Sequence, residues 1–359
     1  MKILMLVNWK IHYSYEDRED IQPPDKVVKG KKYWFFRYWP DADIQVDVID
    51  FSRLPLLHYL EKNKFKFYIF QILKAIPISR NYDLIISHSA QSAVFLDFLR
   101  TFVNKSYPPH IVIDPGCFNG ARDNKFETSL IRYASQSING LIYHSTIQEQ
   151  YYRKHLPFLL RKSRFIHFGT DTEFFKPIDN VPGEDYVISI GYMKRDYLTL
   201  LKAWSQISTE TKLRIVGIKN LRMLGITRLT SNVELYDRVS ISKLKQLIAG
   251  AKFVVIPLPY YKYSYGQMTL LQSMAMAKAV IVTKTPSAKD YITNSKDGLF
   301  VEPYNIGDMR EKIEFLLNNP SLVERLSKQA RKTVEQKFNE KIMAQKIYAF
   351  VNKIIEDVQ

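Results

Sequence analysis

Short apolar segments alternate with amphipathic stretches of helix length along most of the chain. In the first half the apolar segments are KILMLVN, IQVDVIDF, DLIISHS, HIVIDP, GLIYHS and RFIHFG. Stretches such as AQSAVFLDFLRTF and FETSLIRYASQS lie between them and place apolar residues at helical spacing. Continuous apolar strands separated by helices predict a parallel sheet that is covered on both faces.

The same rhythm restarts near Asp185, after the segment FKPIDNVPGED, which has no hydrophobic periodicity and is typical of a linker. The second set of strand-like segments is DYVISIG, KLRIVG, NVELYD, KFVVIP, AVIVT and GLFV. Helical patterns then cover residues 306–317 and 320–355. We therefore predict the α/β class, with two doubly wound Rossmann-like domains, residues 1–177 and 178–340, facing a central cleft. Ligands of such sheets bind at the carboxyl ends of the strands.

Composition supports a globular protein of two domains. The chain has 359 residues, of which 46% are hydrophobic and 25% charged, which excludes a disordered or low-complexity protein. A single cysteine, Cys117, excludes an intrachain disulfide and indicates a reducing compartment. The opening apolar run is too short for a signal peptide, and no apolar stretch approaches the roughly 20 residues of a membrane span. We expect a cytoplasmic protein.

The net charge of +16 is compatible with nucleic acid, an anionic membrane surface or phosphorylated small molecules. Nucleic acid is not expected, because no recognition motif accompanies the charge. Two stretches mix lysine with aromatic residues, KVVKGKKYWFFRYWP and HYLEKNKFKFYIFQILKAIPISR. In the second, Phe65, Ile69, Leu73 and Ile76 would form one helical stripe, with Lys62, Lys64 and Lys66 at its start.

Two interpretations of that helix stay open. In one, the helix mainly covers the first sheet, as a helix between two strands must. In the other, its lysines also form a face for an anionic membrane, which would place the protein peripherally on the inner face of the cell membrane.

The segment from Lys262 to Thr283 carries the clearest chemical signal. A glycine-containing turn opens a helix there, so the backbone N–H groups of Gly266, Gln267, Met268 and Thr269 would be available to a phosphate. Gln272, further along the same helix, would reach a ribose hydroxyl pair. The alternative is an ordinary βα turn whose helix packs Leu270, Leu271 and Met274 into the core.

From about Ser145 onward the chain resembles the family 4 retaining glycosyltransferases of the GT-B fold. HFGTDTEFFKP, ISIGYMKRDYLTLLKAW, SYGQMTLLQSMA and AKDYITNSKDGLFVEPYNIGDM follow the order of that family's motifs. The resemblance implies two Rossmann-like domains, with the last helix, residues 341–359, packing back on the first. This chain departs from the family's Glu-x7-Glu motif, since Ser264 and Gln272 stand at the two glutamate positions.

The resemblance also implies a set of donor-binding residues. Arg195 takes the position of the family's phosphate-binding lysine, and Lys194 lies beside it. A guanidinium can bind a diphosphate through two parallel hydrogen bonds; the alternative is a solvated basic turn. The segment YDRVS occupies the turn that flanks the nucleobase, where we expect backbone contacts from Arg238 and Val239. Gln272 would hold the ribose through a neutral hydrogen bond in place of a charge-assisted one.

Three residues are candidates for contact with the reacting sugar. Asp114 ends the strand HIVIDP, where family members carry a histidine, and would bond sugar hydroxyls or assist the acceptor proton. Its alternative is the stabilisation of an Asx-type turn. His88, at the end of DLIISHS, matches a family histidine, although a structural role is the commoner one for such a residue. Ser264 stands where the first glutamate would touch the transferred sugar.

These interpretations predict a retaining glycosyltransferase, of hexosyltransferase type, that takes part in polysaccharide biosynthesis. The donor would be a UDP- or GDP-type nucleotide sugar, and the acceptor a hydroxyl on a glycan or lipid-linked precursor. No cofactor and no metal are expected, because fixed cations can neutralise the leaving diphosphate. The alternative is a catalytically inactive GT-B subunit that binds a partner or a glycan, which the absent carboxylates at Ser264 and Gln272 favour.

Overall fold

The computed structural model describes residues 1–51, 54–61, 67–102, 107–116, 118, 125–179, 181, 185–192, 194–218 and 229–358. The side chains of residues 90, 91, 102, 125–127 and 358 are also outside the description. Cys117 and the predicted stripe residues Lys62, Lys64, Phe65 and Lys66 lie outside the described residues.

The strands are β1 (Lys2–Val7), β2 (His12–Ser14), β3 (Lys26–Val28), β4 (Gln45–Ile49), β5 (Leu84–His88), β6 (His110–Asp114), β7 (Gly140–Tyr143), β8 (Ser163–Phe165), β9 (Tyr186–Ile190), β10 (Lys212–Val216), β11 (Val233–Tyr236), β12 (Val254–Ile256), β13 (Val280–Thr283) and β14 (Leu299–Val301). The helices are α1 (Pro55–Leu60), α2 (Ile69–Ile78), α3 (Ala90–Phe102), α4 (Lys125–Ala134), α5 (Ile147–His155), α6 (Pro157–Leu160), α7 (Tyr197–Trp204), α8 (Ile241–Gly250), α9 (Gln267–Ala275), α10 (Ile306–Leu317), α11 (Pro320–Lys337) and α12 (Glu340–Val358).

The first compact unit comprises Met1–His167 and Met343–Gln359. Its main sheet has the order β4-β1-β5-β6-β7-β8 and is parallel throughout. The inner strands β5, β6 and β7 are fully buried, because helices cover both faces of such a sheet. Every apolar segment predicted as a strand in this half forms one.

The second unit comprises Phe168–Ile342. Its sheet has the order β11-β10-β9-β12-β13-β14, again parallel. The order reverses at β9, with β10 on one side and β12 on the other, which is the switch point where ligands of doubly wound sheets bind. The unit begins before the predicted linker, because residues from Phe168 onward already pack in it. The Phe168 amide donates to the Tyr291 hydroxyl at 2.9 Å, and Phe175 is buried in the core of the unit. The predicted α/β class with two doubly wound sheets is confirmed.

An aromatic insertion follows β1, which the apolar pattern did not predict. It contains the small parallel pair β2 and β3 and a 3₁₀ turn over Trp34–Tyr38. The Trp34 ring packs edge-on against that of Trp9, with 5.8 Å between ring centres. Both tryptophans lie within 6 Å of the His88 ring, at 5.6 and 4.8 Å. The insertion therefore covers the carboxyl end of β5.

Of the predicted stripe, Ile69, Leu73 and Ile76 lie on helix α2, and its membrane-facing role stays a prediction. Helix α2 buries Gln71, Ile72 and Ala75, whereas Leu73 is 58% exposed. The buried Gln71 donates to the carbonyls of Val7 and Ile49 at 2.8 and 2.7 Å. The helix therefore covers the first sheet through a different face, because these hydrogen bonds fix its rotation.

A buried polar network lies within the first unit. Asp97, His110 and Ser87 are all fully inaccessible to solvent. Ser87 Oγ lies 2.8 Å from His110 Nε2, and His110 Nδ1 lies 2.9 Å from the Asp97 carboxylate. The order of partners is that of a hydrolytic triad, but substrate has no access to a serine on a strand inside the sheet. The network therefore holds α3 to β5 and β6.

Among the residues described, no helix combines the length and the apolar character needed to cross a membrane.

Candidate active site

The turn after β9 places two cations at the switch point of the second sheet. Gly191 has a φ of +151°, and a Cβ at this position would lie 2.3 Å from Arg195 Nε. The guanidinium of Arg195 therefore occupies the space beside a backbone that has no side chain. Any other residue at Gly191 would displace it.

Hydrogen bonds fix the guanidinium of Arg195. Its Nε donates to the Ile190 carbonyl at 2.9 Å, its Nη1 to the Lys194 carbonyl at 3.2 Å, and its Nη2 to Thr269 Oγ1 at 3.1 Å. Burial lowers the pKa of the guanidinium from its ordinary value, yet an arginine stays protonated in proteins. The positive charge is therefore held in place before a ligand binds, so binding need not order the side chain of Arg195.

Helix α9 begins where that charge lies. Its N-cap, Gly266, has a φ of +85°, in the left-handed region that favours glycine. A Cβ there would also lie 3.0 Å from Leu258 Cδ1. The first backbone N–H groups of a helix lack intrahelical acceptors, and in α9 these belong to Gln267, Met268 and Thr269. Because Thr269 accepts from Arg195, the structure brings the predicted guanidinium and the predicted helix start together.

Lys194 supplies a second cation from the same turn. Its backbone is left-handed, with a φ of +54°, and its Nζ lies 4.7 Å from the centre of the Tyr263 ring and 6.0 Å from that of Tyr261. The two rings are stacked 4.8 Å apart. A cation over an aromatic face is held by about 0.5–1 kcal/mol at an exposed site, weakly enough for an anionic ligand to draw it away.

Arg238 and Val239 follow β11, beside the same turn. The Arg238 guanidinium lies 5.8 Å from the centre of the Tyr192 ring, and Tyr192 is 43% exposed. Val239 packs on the core beneath. The predicted contact of their backbone with a nucleobase stays a prediction.

The two positions that replace the motif glutamates are both buried. Ser264 is 5% and Gln272 7% exposed. Ser264 Oγ accepts from Gln267 Nε2 at 2.7 Å, so it orients the side chain at the start of α9. The predicted contact of Ser264 with the transferred sugar stays a prediction. The ribose-binding role of Gln272 stays a prediction.

Asp114 takes the alternative role of a turn stabiliser. It is fully buried, and its carboxylate accepts from the Gly116 amide at 2.9 Å, from Gln148 Nε2 at 3.2 Å and from the Tyr152 hydroxyl. A carboxylate enclosed by three donors is not positioned to accept a proton from a substrate. The expectation that Asp114 faces a ligand is corrected, because α5 closes over the end of β6.

His88 likewise lies inside the first unit. It is 8% exposed and surrounded by Trp9 and Trp34. Burial, assisted by the neighbouring His144, lowers the pKa of His88 to about 3. The imidazole is therefore neutral at pH 7, which is compatible with a hydrogen-bonding role and not with an acid at that pH.

Sequence reasoning missed the tyrosines around the two cations. Tyr197 donates to the Gly191 carbonyl at 2.8 Å, and Tyr265 donates to the Pro259 carbonyl. Burial raises the pKa of both phenols, so they act as neutral donors. The run PYYKYSY, with its repeated tyrosines beside a lysine, was the signal that could have indicated an aromatic wall.

Comparison with known proteins finds similarity to glycosyltransferases within the second unit. Residues 171–333 match the family model described as glycosyl transferases group 1. The chain is similar to the capsular polysaccharide biosynthesis glycosyltransferase CapM of Staphylococcus aureus, with 29% identity over 29% of this chain and 27% of that protein. It is 31% identical to the N,N'-diacetylbacillosaminyl-diphospho-undecaprenol alpha-1,3-N-acetylgalactosaminyltransferase of Campylobacter jejuni, over 29% of this chain and 27% of that protein. The matched region thus spans about a quarter of the length of these curated relatives.

Solved structures share the fold over the whole chain. The sucrose-phosphate synthase of Thermosynechococcus elongatus matches with a TM-score of 0.74 and 15% identity, covering 99% of this chain and 100% of that one. HepE of Anabaena, solved with UDP and glucose, matches with a TM-score of 0.70 and 15% identity, covering 98% and 100%. The fold is the GT-B fold of these glycosyltransferases.

Proposed function

We propose, from the membership of residues 171–333 in the glycosyl transferases group 1 family, that the whole chain transfers a sugar from a nucleotide-diphosphate sugar to an acceptor hydroxyl with retention of anomeric configuration. The observation that carries this proposal is the hydrogen bond from Arg195 to Thr269 at 3.1 Å. It joins a fixed guanidinium to the amide-rich first turn of α9, at the switch point of a doubly wound sheet.

The chemistry of that pair suits the leaving group of the reaction. Negative charge develops on the diphosphate as the glycosidic bond breaks, and donors that are already in place stabilise it without reorganisation. Arg195 would take the diphosphate oxygens through its outer nitrogen atoms, and Lys194 would leave the tyrosine pair to join it. The N–H groups of α9 would complete the site. These cations would perform the neutralising role without a metal ion.

The donor and acceptor classes come from the similar proteins. HepE was solved with UDP and glucose, which supports a UDP-type donor over a GDP-type one. The Campylobacter relative is named for a diphospho-undecaprenol substrate, and CapM for capsular polysaccharide. We propose a glycan or lipid-linked acceptor, encountered at the inner face of the cell membrane, to which the protein would bind peripherally.

Nucleotide binding tests the site separately from catalysis. Calorimetric titration of UDP and GDP into the purified protein should give binding that Arg195→Ala weakens at least tenfold, or about 1.4 kcal/mol. Arg310→Ala is the matched control, because Arg310 is an exposed cation of the same unit, paired with Glu314 at 3.8 Å. An equal loss of nucleotide affinity in Arg195→Ala and Arg310→Ala would contradict the proposed diphosphate site.

Turnover tests the reaction. The protein should release nucleotide from a UDP-sugar in the presence of an undecaprenyl-diphosphate-linked saccharide, and proton NMR should show that the product keeps the anomeric configuration of the donor. Nucleotide binding without transfer or hydrolysis of any UDP- or GDP-sugar would favour the inactive subunit, for which the absent carboxylates at Ser264 and Gln272 argue. An inverted product would contradict retention.

A further inference from the structure

A basic groove lies in the first unit, between the sheet edge at β8 and helix α12. Its volume is about 610 Å³. One wall is the segment that enters and forms β8, and the other is the last half of α12. We call it the β8–α12 groove. Its cationic lining residues are Arg161, Lys162, Arg164, Lys346 and Lys353.

The groove exists because of how the helix meets the sheet. A Cβ on Gly140, in β7, would lie 3.1 Å from Phe350 Cε1 and 3.2 Å from Ile354 Cγ1. The helix therefore contacts β7 closely, and the neighbouring edge strand β8 is left with an open channel beside it. Ala349, a small residue, stands between Lys346 and Lys353 on the helix and keeps the channel wide.

The charge of the groove is strongly one-sided. Five of its lining residues are cations and one, Asp357, is a carboxylate. Lys346 and Lys353 are seven residues apart and lie on the same face of α12, about 10 Å from each other along the axis. Lys162 and Arg164 lie two residues apart on the opposite wall. The two walls therefore direct positive charge into the same channel.

Four of these five cations have no carboxylate partner among the described residues. Across the described part of the chain, no ion pair involves Arg161, Arg164, Lys346 or Lys353. On α11, by contrast, Lys328 pairs with Glu324 and Arg331 with Glu335. Like charges gathered without counterions repel one another, and an anion in the groove would remove that cost.

Protection of an exposed sheet edge explains part of this arrangement. Edge strands commonly carry charged residues that prevent pairing with other chains, and Arg164 on β8 suits that role. Protection of the edge strand does not explain Lys346 and Lys353, which lie on a helix across the channel. The aromatic side chains of Phe165 and Phe350 also line the groove, which a purely protective edge does not need.

We propose that the β8–α12 groove binds a ligand that carries two neighbouring phosphate groups. Because cations line both walls, a ligand with two phosphate groups can contact each wall through one of them, whereas a single carboxylate cannot. This chemistry occurs in soluble diphosphates and in the headgroup of a bisphosphate lipid such as cardiolipin. The site belongs to the first unit and is independent of the donor site at Arg195.

Calorimetry with inorganic pyrophosphate tests the groove once the donor site has been disabled. In Arg195→Ala protein, pyrophosphate should bind, and the added pair Lys346→Ala/Lys353→Ala should weaken that binding at least tenfold. Arg164→Ala, on the opposite wall, should weaken it as well. Lys328→Ala/Lys332→Ala is the matched control, because it removes the same charge from exposed positions of α11, and it should change the affinity less than twofold.

Vesicle sedimentation distinguishes a lipid headgroup from a soluble diphosphate as the ligand of the groove. Binding to cardiolipin vesicles that the groove variants abolish, together with no binding to phosphatidylcholine vesicles, assigns the lipid source, whereas pyrophosphate binding alone assigns a soluble one. Either result supports the groove. Absence of both kinds of binding, or equal loss in the groove and control variants, overturns the proposal. UDP affinity measured with Arg195 intact should be unchanged in the groove variants, so failure here and failure of the donor site are distinguishable.

Discussion

Arg195 Nη2 donates to Thr269 Oγ1 across 3.1 Å, although the two residues are 74 positions apart in the chain. The bond connects the turn after β9 to the first turn of α9, which are the two halves of the proposed diphosphate site. Because the acceptor is a side-chain hydroxyl, the pair can be tested without altering the backbone of either element.

Thr269→Val should weaken UDP binding. Valine has nearly the shape of threonine and lacks the acceptor, so a partly buried charged donor loses its partner, at a cost of about 1–3 kcal/mol. We expect a loss of affinity of about 5- to 100-fold by calorimetry. Thr269→Ser keeps the hydroxyl and should retain most of the affinity; a serine variant as weak as the valine variant would show that the hydroxyl is not what matters.

Gly191→Ala should destabilise the second unit and reduce UDP binding. The new Cβ would lie 2.3 Å from Arg195 Nε, at a backbone φ of +151°. Gly30→Ala isolates the backbone part of this effect, because Gly30 has a φ of +77° with no atom within 4 Å of an added Cβ. We expect about 1 kcal/mol from Gly30→Ala and at least about 2 kcal/mol from Gly191→Ala, measured by urea unfolding. Equal destabilisation by Gly30→Ala and Gly191→Ala would mean that the position of Arg195 does not depend on the space beside Gly191.

The stability of the first unit should fall as the pH drops below about 6.5. Burial lowers the pKa of His88 to about 3 and that of His144 to about 4, whereas an unfolded histidine titrates near 6.5. Between those values the unfolded chain binds more protons than the folded one. Each histidine should therefore cost about 1.4 kcal/mol per pH unit as the pH falls through this window, and the stability should be fully present above it.

Urea unfolding at pH 7 and pH 5 measures this dependence. His88→Phe should reduce the loss of stability between the two pH values, because it keeps a ring beside Trp9 and Trp34 and removes one titrating group. A variant with the wild-type pH dependence would contradict the neutral state of His88.

Asp97→Asn should destabilise the first unit by about 2–4 kcal/mol. Asp97 accepts from His110 and from Ser137 Oγ at 2.9 Å and lies 3.3 Å from Arg100 Nη1. An asparagine would offer a donor where these groups need an acceptor and would leave a buried network partly unsatisfied. Asp43→Asn, at an exposed position, is the matched control for urea unfolding. A neutral effect of Asp97→Asn would show that the network contributes no stability.

The strands of the two six-stranded sheets were predictable because each lies in a short apolar segment. The inner strands of both sheets are buried on two faces, so the pattern needs no knowledge of the partner strand. The start of α9 and the cation at Arg195 were also predictable, from a glycine at a turn and from the order of the family's motifs. Their hydrogen bond was not, since it depends on the register between β9 and β12.

The site residues that failed did so because burial at a strand end depends on distant elements. Asp114 looked available until α5 placed Gln148 and Tyr152 over it. His88 is enclosed by Trp9 and Trp34, which belong to an insertion without hydrophobic periodicity. Neither covering element is encoded near the residue it covers.

The separation of residues 343–359 from the rest of the first unit has a consequence for synthesis. The ribosome must translate the entire second unit before α12 can close over Gly140 and β7. During that interval the nascent first unit exposes the hydrophobic surface that α12 later covers. A chaperone that binds exposed hydrophobic surface would recognise it there until α12 has been synthesised.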